Sequence, residues 1–161
     1  MKEAVSGQGM GMPRRIVGVA GSGFAKDALC SIARELGKGI AKQGWVLVTG
    51  GKGGVMEEAS KGASEAGGLV LGILPGATKE DANPYVAVPI VTNMGHARNV
   101  VLAHTVDALV AIGGEFGTLS EMAISRKLGK PVLAIQSFLL QGVVQALDAA
   151  DALRFLKGWL G

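Results

Sequence analysis

Short apolar runs alternate along the chain with segments whose apolar residues recur at helical spacing. Residues 16–20, 45–48, 69–74, 88–91, 108–112 and 131–135 read as strands, each a brief, largely apolar run. Between them, residues 26–42 carry Leu29, Ile32, Ala33, Leu36 and Ile40 on one side of a helix. Residues 55–66 form a helix of small residues, and 97–105 and 119–128 read as two more. Residues 75–84 are a loop, and 139–157 are expected to close the chain as one helix, or as two broken near Asp148 and Asp151. Residues 1–13 show no period and are expected to be a mobile tail, which leaves 14–161 as the domain.

Strands regularly separated by helices predict a single-domain α/β fold: a Rossmann-like, doubly wound parallel sheet with helices on both faces. In such sheets a ligand sits beyond the carboxyl ends of the strands, where the strand order reverses. The turns that follow each strand are therefore the place to look for chemistry.

Composition sharpens this picture at one point. The chain of 161 residues contains 26 glycines, over twice the usual share of about 7%. They cluster at the predicted strand ends, which argues for main chain brought close to a ligand. Hydrophobic residues make up 48% and aromatics only 4%, so aliphatic side chains must fill the core.

Charge and cysteine content mainly exclude. Of the net charge of +3, Lys2, Glu3, Arg14 and Arg15 supply +2, which leaves the body nearly neutral. No basic stripe with interleaved aromatics appears, which argues against a nucleic-acid partner. Cys30 stands alone, so neither an internal disulfide nor a cysteine-rich metal site is expected, and no metal site is read elsewhere. Neither a membrane span nor an export signal is indicated, so the expected location is cytoplasmic.

Three turns carry candidate chemistry. The first, Gly21-Ser22-Gly23, begins like a dinucleotide fingerprint but has Lys26 where the third glycine should stand. The second, Thr49-Gly50-Gly51-Lys52-Gly53-Gly54, leads into the helix at Val55, where unpaired N–H groups and the helix dipole suit an anion. It lacks the Gly-Lys-Ser/Thr ending of a P-loop. The third is "IGGEFGTLSE", with Gly113, Gly114 and Gly117 followed by Thr118 and Glu121. Thr118 and Glu121 have capping-box spacing, yet a carboxylate beside an anion cradle is also a candidate base or hydroxyl acceptor.

Arg98 adds a second anomaly. The "MGHARN" stretch opens a helix, and a cation in the first turn opposes the helix dipole by about 0.3–1 kcal/mol. Such a cation calls for an anionic partner: Glu121, a ligand phosphate or another carboxylate. His96 reads as a surface or capping residue, and His104 has no ligand set at metal spacing.

With these motifs in place, the chain resembles the lonely-guy (LOG) proteins, long labelled lysine decarboxylases. "TGGKGGVMEEASKGASEAGG" and "IGGEFGTLSE" are similar to that superfamily's GGGxxGxM and PGGxGTxxE signatures, and the resemblance covers residues 15–136. It implies a Rossmann-like sheet and a nucleotide-phosphate site. In the enzymatic members an arginine and the motif glutamate are implicated in cleaving the N-glycosidic bond of a cytokinin riboside monophosphate; the matching positions are Arg98 and Glu121. The sequence departs from the enzymes at Gly113 and Glu115, at Asn99 in place of a lysine, and in a shorter helix after Glu121. "GWVLVTGG", "GASEAGG" and "GILPG" look closer to a neighbouring branch, the molybdenum-cofactor carrier proteins. That resemblance implies molybdopterin cofactor as cargo, a homo-oligomer (dimer or tetramer) and a molybdoenzyme acceptor.

The leading expectation is therefore a protein that binds an anionic, phosphorylated small ligand in these Gly-rich turns. Thr49, Gly50, Gly51, Gly53, Gly54, Gly113, Gly114, Gly117 and Thr118 would form the cradle, with Gly21, Ser22 and Gly23 beside it. Lys52 and Arg98 would supply charge. The alternative is a nucleoside 5′-monophosphate phosphoribohydrolase using Arg98 and Glu121. Single-strand DNA binding is a remote third reading, disfavoured by the near-neutral body.

Overall fold

A computed structural model describes residues 11–161; the expected tail lies mostly outside the described residues, and 11–15 have no regular structure. Seven strands form one parallel sheet in the order β4-β3-β2-β1-β5-β6-β7. In chain order these are β1 (Ile16–Gly21), β2 (Val46–Thr49), β3 (Val70–Leu74), β4 (Val88–Val91), β5 (Ala108–Ile112), β6 (Val132–Ile135) and β7 (Val144–Gln145). The helices are α1 (Asp27–Lys42), α2 (Val55–Glu65), α3 (Arg98–Thr105), α4 (Phe116–Lys127) and α5 (Ala149–Leu160), with short 3-10 turns at Lys79–Asp81 and Gly95–Ala97.

The expected doubly wound sheet is present, with helices on both faces. Alternation along β1 explains why. Val17 and Val19 point into one layer with Leu36 and Ile40 of α1, Ala59 of α2 and Leu156 of α5. Ala20 faces the other layer, with Leu102 of α3 and Met122 of α4. Central strands buried on both faces need continuous aliphatic runs, which is what β5 supplies in Ala108–Ile112, fully buried throughout.

Strand order reverses beside β1. It pairs with β2 through Ile16↔Val46 and with β5 through Val17↔Ala108 to Gly21↔Ile112. The turns that leave β1 and β5 therefore diverge to opposite faces of the sheet and open a crevice between them.

The chain end departs from expectation. Residues 139–148 are not helical; they form a loop containing the short strand β7, and a single helix starts only at Ala149. Gly142 at φ +80° sets a conformation that favours glycine, and Gln136 at φ +49° turns the chain sharply after β6. Asp148 then accepts the Asp151 N–H at 2.8 Å and starts α5 as its N-cap. The late apolar group faces inward: Leu156 and Leu160 are buried and Phe155 packs against the core, while Trp159 is partly exposed.

Candidate functional site

The crevice beside β1 holds a cavity of about 240 Å³. Its walls come from the β1–α1 turn (Gly21, Ser22, Gly23), the β5–α4 turn with the start of α4 (Glu115, Gly117, Thr118, Glu121), the start of α3 (His96, Arg98, Asn99) and Met56 of α2.

The β5–α4 turn is built around Gly114. Its φ of +103° favours glycine, and a Cβ there would collide with Thr118. The chain can then extend through Glu115 and enter α4 at Phe116, two residues earlier than Thr118. This shift corrects the capping-box expectation. Thr118 lies inside the first turn, Glu115 holds the N-cap position, and no side chain caps the helix. Glu121 falls in the second turn, buried to 7% exposure and turned to the cavity. The first bond into the helix is Leu119 N–H to the Glu115 carbonyl, so the amides of Phe116, Gly117 and Thr118 have no carbonyl of their own helix to meet.

Arg98 enters from the other side as the first residue of α3. Nη1 donates to the Gly50 carbonyl at 2.6 Å and to the Ile73 carbonyl at 2.7 Å. The partner expected for this cation is thus provided first by main chain at the ends of β2 and β3. Its Nε is buried without a partner among the described residues. Burial pulls the guanidinium below its usual value, and the Glu121 charge opposes that shift. Burial also pushes the Glu121 carboxyl up to about 7, and Arg98 limits the rise.

The second Gly-rich turn stands behind this cavity and supports it. A Cβ on Gly54 would strike the main chain of Ser22 and Gly23, and Val55 N–H donates to the Ser22 carbonyl at 3.1 Å. Thr49 is fully buried, and its hydroxyl accepts from Gly51 N–H at 3.0 Å. Asn83 ties the turn down by bonds to the Gly51 and Lys52 carbonyls. Gly50 receives Arg98, while Lys52 and Gly53 are partly exposed outside the cavity wall. Gly113 lies in the strand-end scaffold too, its carbonyl accepting from the Ser137 hydroxyl at 2.6 Å.

Gly21, Ser22, Gly23, Arg98, Gly117, Thr118 and Glu121 are therefore brought together around one cavity; Thr49, Gly50, Gly51, Lys52, Gly53, Gly54, Gly113 and Gly114 are not among its lining residues. Met56, His96, Asn99 and Glu115 line it without having been singled out as ligand residues. Asn99 was visible as the residue after Arg98; Met56 carried only its place in a first turn after glycines.

A profile of the SLOG cluster4 family matches residues 14–156. A protein of Archaeoglobus fulgidus is 47% identical over 120 residues, 74% of this chain and 79% of its own. The molybdenum cofactor binding protein of the phototrophic bacterium Rippkaea orientalis superposes with a TM-score of 0.89 at 35% identity, over 94% of this chain and 100% of that one. The Moco carrier protein of Chlamydomonas reinhardtii gives 0.85 at 39% identity, over 92% and 98%. The cytokinin riboside 5′-monophosphate phosphoribohydrolase LOG5 of Arabidopsis thaliana is 33% identical over 99 residues, 60% of this chain and 42% of that enzyme. Structural homology thus favours the cofactor-binding proteins, matched over nearly their whole length, over the phosphoribohydrolases, matched over about half of theirs.

Proposed function

The chain belongs to the SLOG cluster4 family, and from that premise we propose that it binds and carries a molybdenum cofactor. The cargo has a terminal phosphate, a pterin and a dithiolene-bound oxo-metal. One observation carries the reading: the amides of Gly117 and Thr118, in the opening turn of α4, have no partner in their own helix and lie at the wall of a cavity that also receives Arg98. Converging N–H groups at a helix N-terminus suit a phosphate or an anionic oxo group. The Gly21–Gly23 turn lets main chain approach from the opposite wall. A cavity rimmed by exposed Gly23, His96 and Glu115 is open to solvent, which suits reversible loading and hand-over to a molybdoenzyme acceptor.

In this reading the protein works in the cytoplasm as a homo-oligomer, dimer or tetramer. Val88, Ile90, Val91, Met94 and Val100 are exposed on β4, α3 and their connection, and offer an apolar surface for assembly. Among the described residues no helix is long and apolar enough to cross a membrane.

The test is gentle purification with mass spectrometry of any retained ligand, followed by titration of molybdopterin cofactor and AMP side by side. Saturable cofactor binding without AMP turnover supports the carrier. One observation favours a second reading, a nucleoside 5′-monophosphate phosphoribohydrolase: Arg98 and Glu121 share the cavity, and a carboxyl pushed to about 7 is suited to proton transfer. Release of free base from AMP, abolished in Glu121→Gln, would establish that enzyme and remove the pure carrier.

A further inference from the structure

Two buried polar atoms on consecutive residues that line the cavity have no partner among the described residues. Asn99 is 5% exposed, and its amide orientation is fixed by its neighbour. The Ser120 hydroxyl has one proton, which it donates to the Gly117 carbonyl at 2.7 Å. Its 3.0 Å contact with Asn99 must therefore be accepted from the amide nitrogen Nδ2, which directs Oδ1 elsewhere. Oδ1 is buried and meets no donor among the described residues. On the preceding residue, Nη1 of Arg98 is committed to the Gly50 and Ile73 carbonyls, while Nε–H is buried and meets no acceptor among them. The Glu121 carboxylate lines the same cavity and interacts with the Arg98 charge. Buried polar groups without partners are rare in folded proteins and mark a missing ligand or water.

A phosphate does not fit this set. It brings acceptors, and would place them against the Asn99 oxygen and the Glu121 carboxylate. The set instead offers one donor, Arg98 Nε–H, and two acceptors, Asn99 Oδ1 and Glu121. Its complement is a ring edge with one acceptor and two donors: a carbonyl, a ring N–H and an exocyclic amino group.

We propose that Arg98, Asn99 and Glu121 read the 2-amino-4-oxo edge of a fused pyrimidinone, with Asn99 as the residue that sets specificity. This inference rests on the carrier reading, and it gives the cargo a direction. The pterin edge points inward to α3, and the phosphate lies at the amides of Gly117 and Thr118. Adenine, whose edge has an amino group and a ring acceptor but no second donor, leaves one acceptor of the site unmatched. A site built to hydrogen-bond a substrate group rejects an analogue that lacks it.

The test compares pterin with lumazine, in which an oxo group replaces the 2-amino group. Both are titrated by fluorescence against the full chain and Asn99→Leu at pH 7.5. Wild type is expected to bind pterin at least ten-fold more tightly than lumazine. Asn99→Leu is expected to weaken pterin at least ten-fold and to narrow the ratio between the two, a change that a merely structural role for Asn99 would not produce. Equal affinities in wild type, or no pterin binding, overturn the inference without needing any variant; so does a ratio preserved in Asn99→Leu. A parallel titration with intact molybdopterin cofactor separates the two levels. Cofactor binding with equal pterin and lumazine affinities removes only the edge reading, whereas pterin selectivity without cofactor binding removes the carrier reading.

Discussion

The guanidinium of Arg98 is anchored on the main chain of Gly50: Nη1 donates to its carbonyl at 2.6 Å, and the same nitrogen reaches the Ile73 carbonyl at 2.7 Å. A cation that begins a helix against the dipole is thereby held by two carbonyl oxygens at the ends of neighbouring strands. The bond orients the unpartnered Nε while fastening α3 to the sheet.

Removing that anchor should cost stability as well as affinity. Arg98→Ala leaves two strand-end carbonyls without their charged donor, and hydrogen bonds to charged groups contribute about 1.5–3 kcal/mol each. A loss of about 2–3 kcal/mol is expected in urea denaturation, with binding of the proposed cofactor weakened in parallel. An unchanged midpoint would mean that the guanidinium is not anchored on those carbonyls.

Gly114 and Thr118 make a second, steric prediction. Gly114→Ala places a Cβ against Thr118 at a φ of +103°, so the β5–α4 turn must shift. The expected destabilisation is about 1–3 kcal/mol, with the α4 amides displaced from the cavity wall. Gly117→Ala is the control, because a Cβ there meets nothing within 4 Å. Equal effects of the two variants on stability would contradict this account of the turn.

Glu121 makes stability depend on pH in a defined direction. Its carboxyl rises from 4.5 to about 7 on folding, chiefly through burial. Between those values the native state keeps a proton that the unfolded chain releases, so stability falls as pH rises through the window and levels off above it. At 1.36 kcal/mol per unit the loss is on the order of 3 kcal/mol. Glu121→Gln should abolish this slope and be the more stable protein at pH 8. Denaturation curves at pH 5, 6, 7 and 8 for both chains decide it; parallel slopes would assign the dependence to another group.

A fourth prediction concerns the chain end. Asp148 caps α5 by accepting the Asp151 N–H at 2.8 Å, and Asp151 accepts the Leu147 N–H at 3.0 Å in return. Asp148→Ala should lower stability by about 1 kcal/mol without altering ligand affinity. A thermal melt and a binding titration on the same sample check both parts.

Legibility in the sequence followed the strength of the local pattern. Five of the aliphatic runs become β1, β2, β3, β5 and β6 because strands buried on both faces must be apolar; the sixth becomes β4, an edge strand on which Val88, Ile90 and Val91 are exposed. β7 escaped because two residues, Val144 and Gln145, on an edge carry no such run. The terminal helix was overextended because Phe138 to Ala150 is apolar enough to continue a helical period, and the backbone reversal at Gly142 is the feature that breaks it. At the candidate site, the glycines mark three turns, but their spacing does not show which of those turns line the cavity. Gly54 packs on Ser22 and Gly23 across two separate crossovers, a contact that spacing along the chain does not encode. Thr118 and Glu121 looked like a cap because their separation fits one; only the φ of Gly114 reveals that α4 starts earlier.

The central position of β1 has a consequence for how the protein comes into being. Its neighbours β2 and β5 begin 30 and 92 residues after its own first residue, Ile16. The cavity is therefore a seam between an early and a late half of the polypeptide. During synthesis the first half can pair its strands alone, but the cavity closes only once Glu121 has left the ribosome. On the proposed reading, fragments ending before β5 should thus fail to bind the cofactor however well they fold.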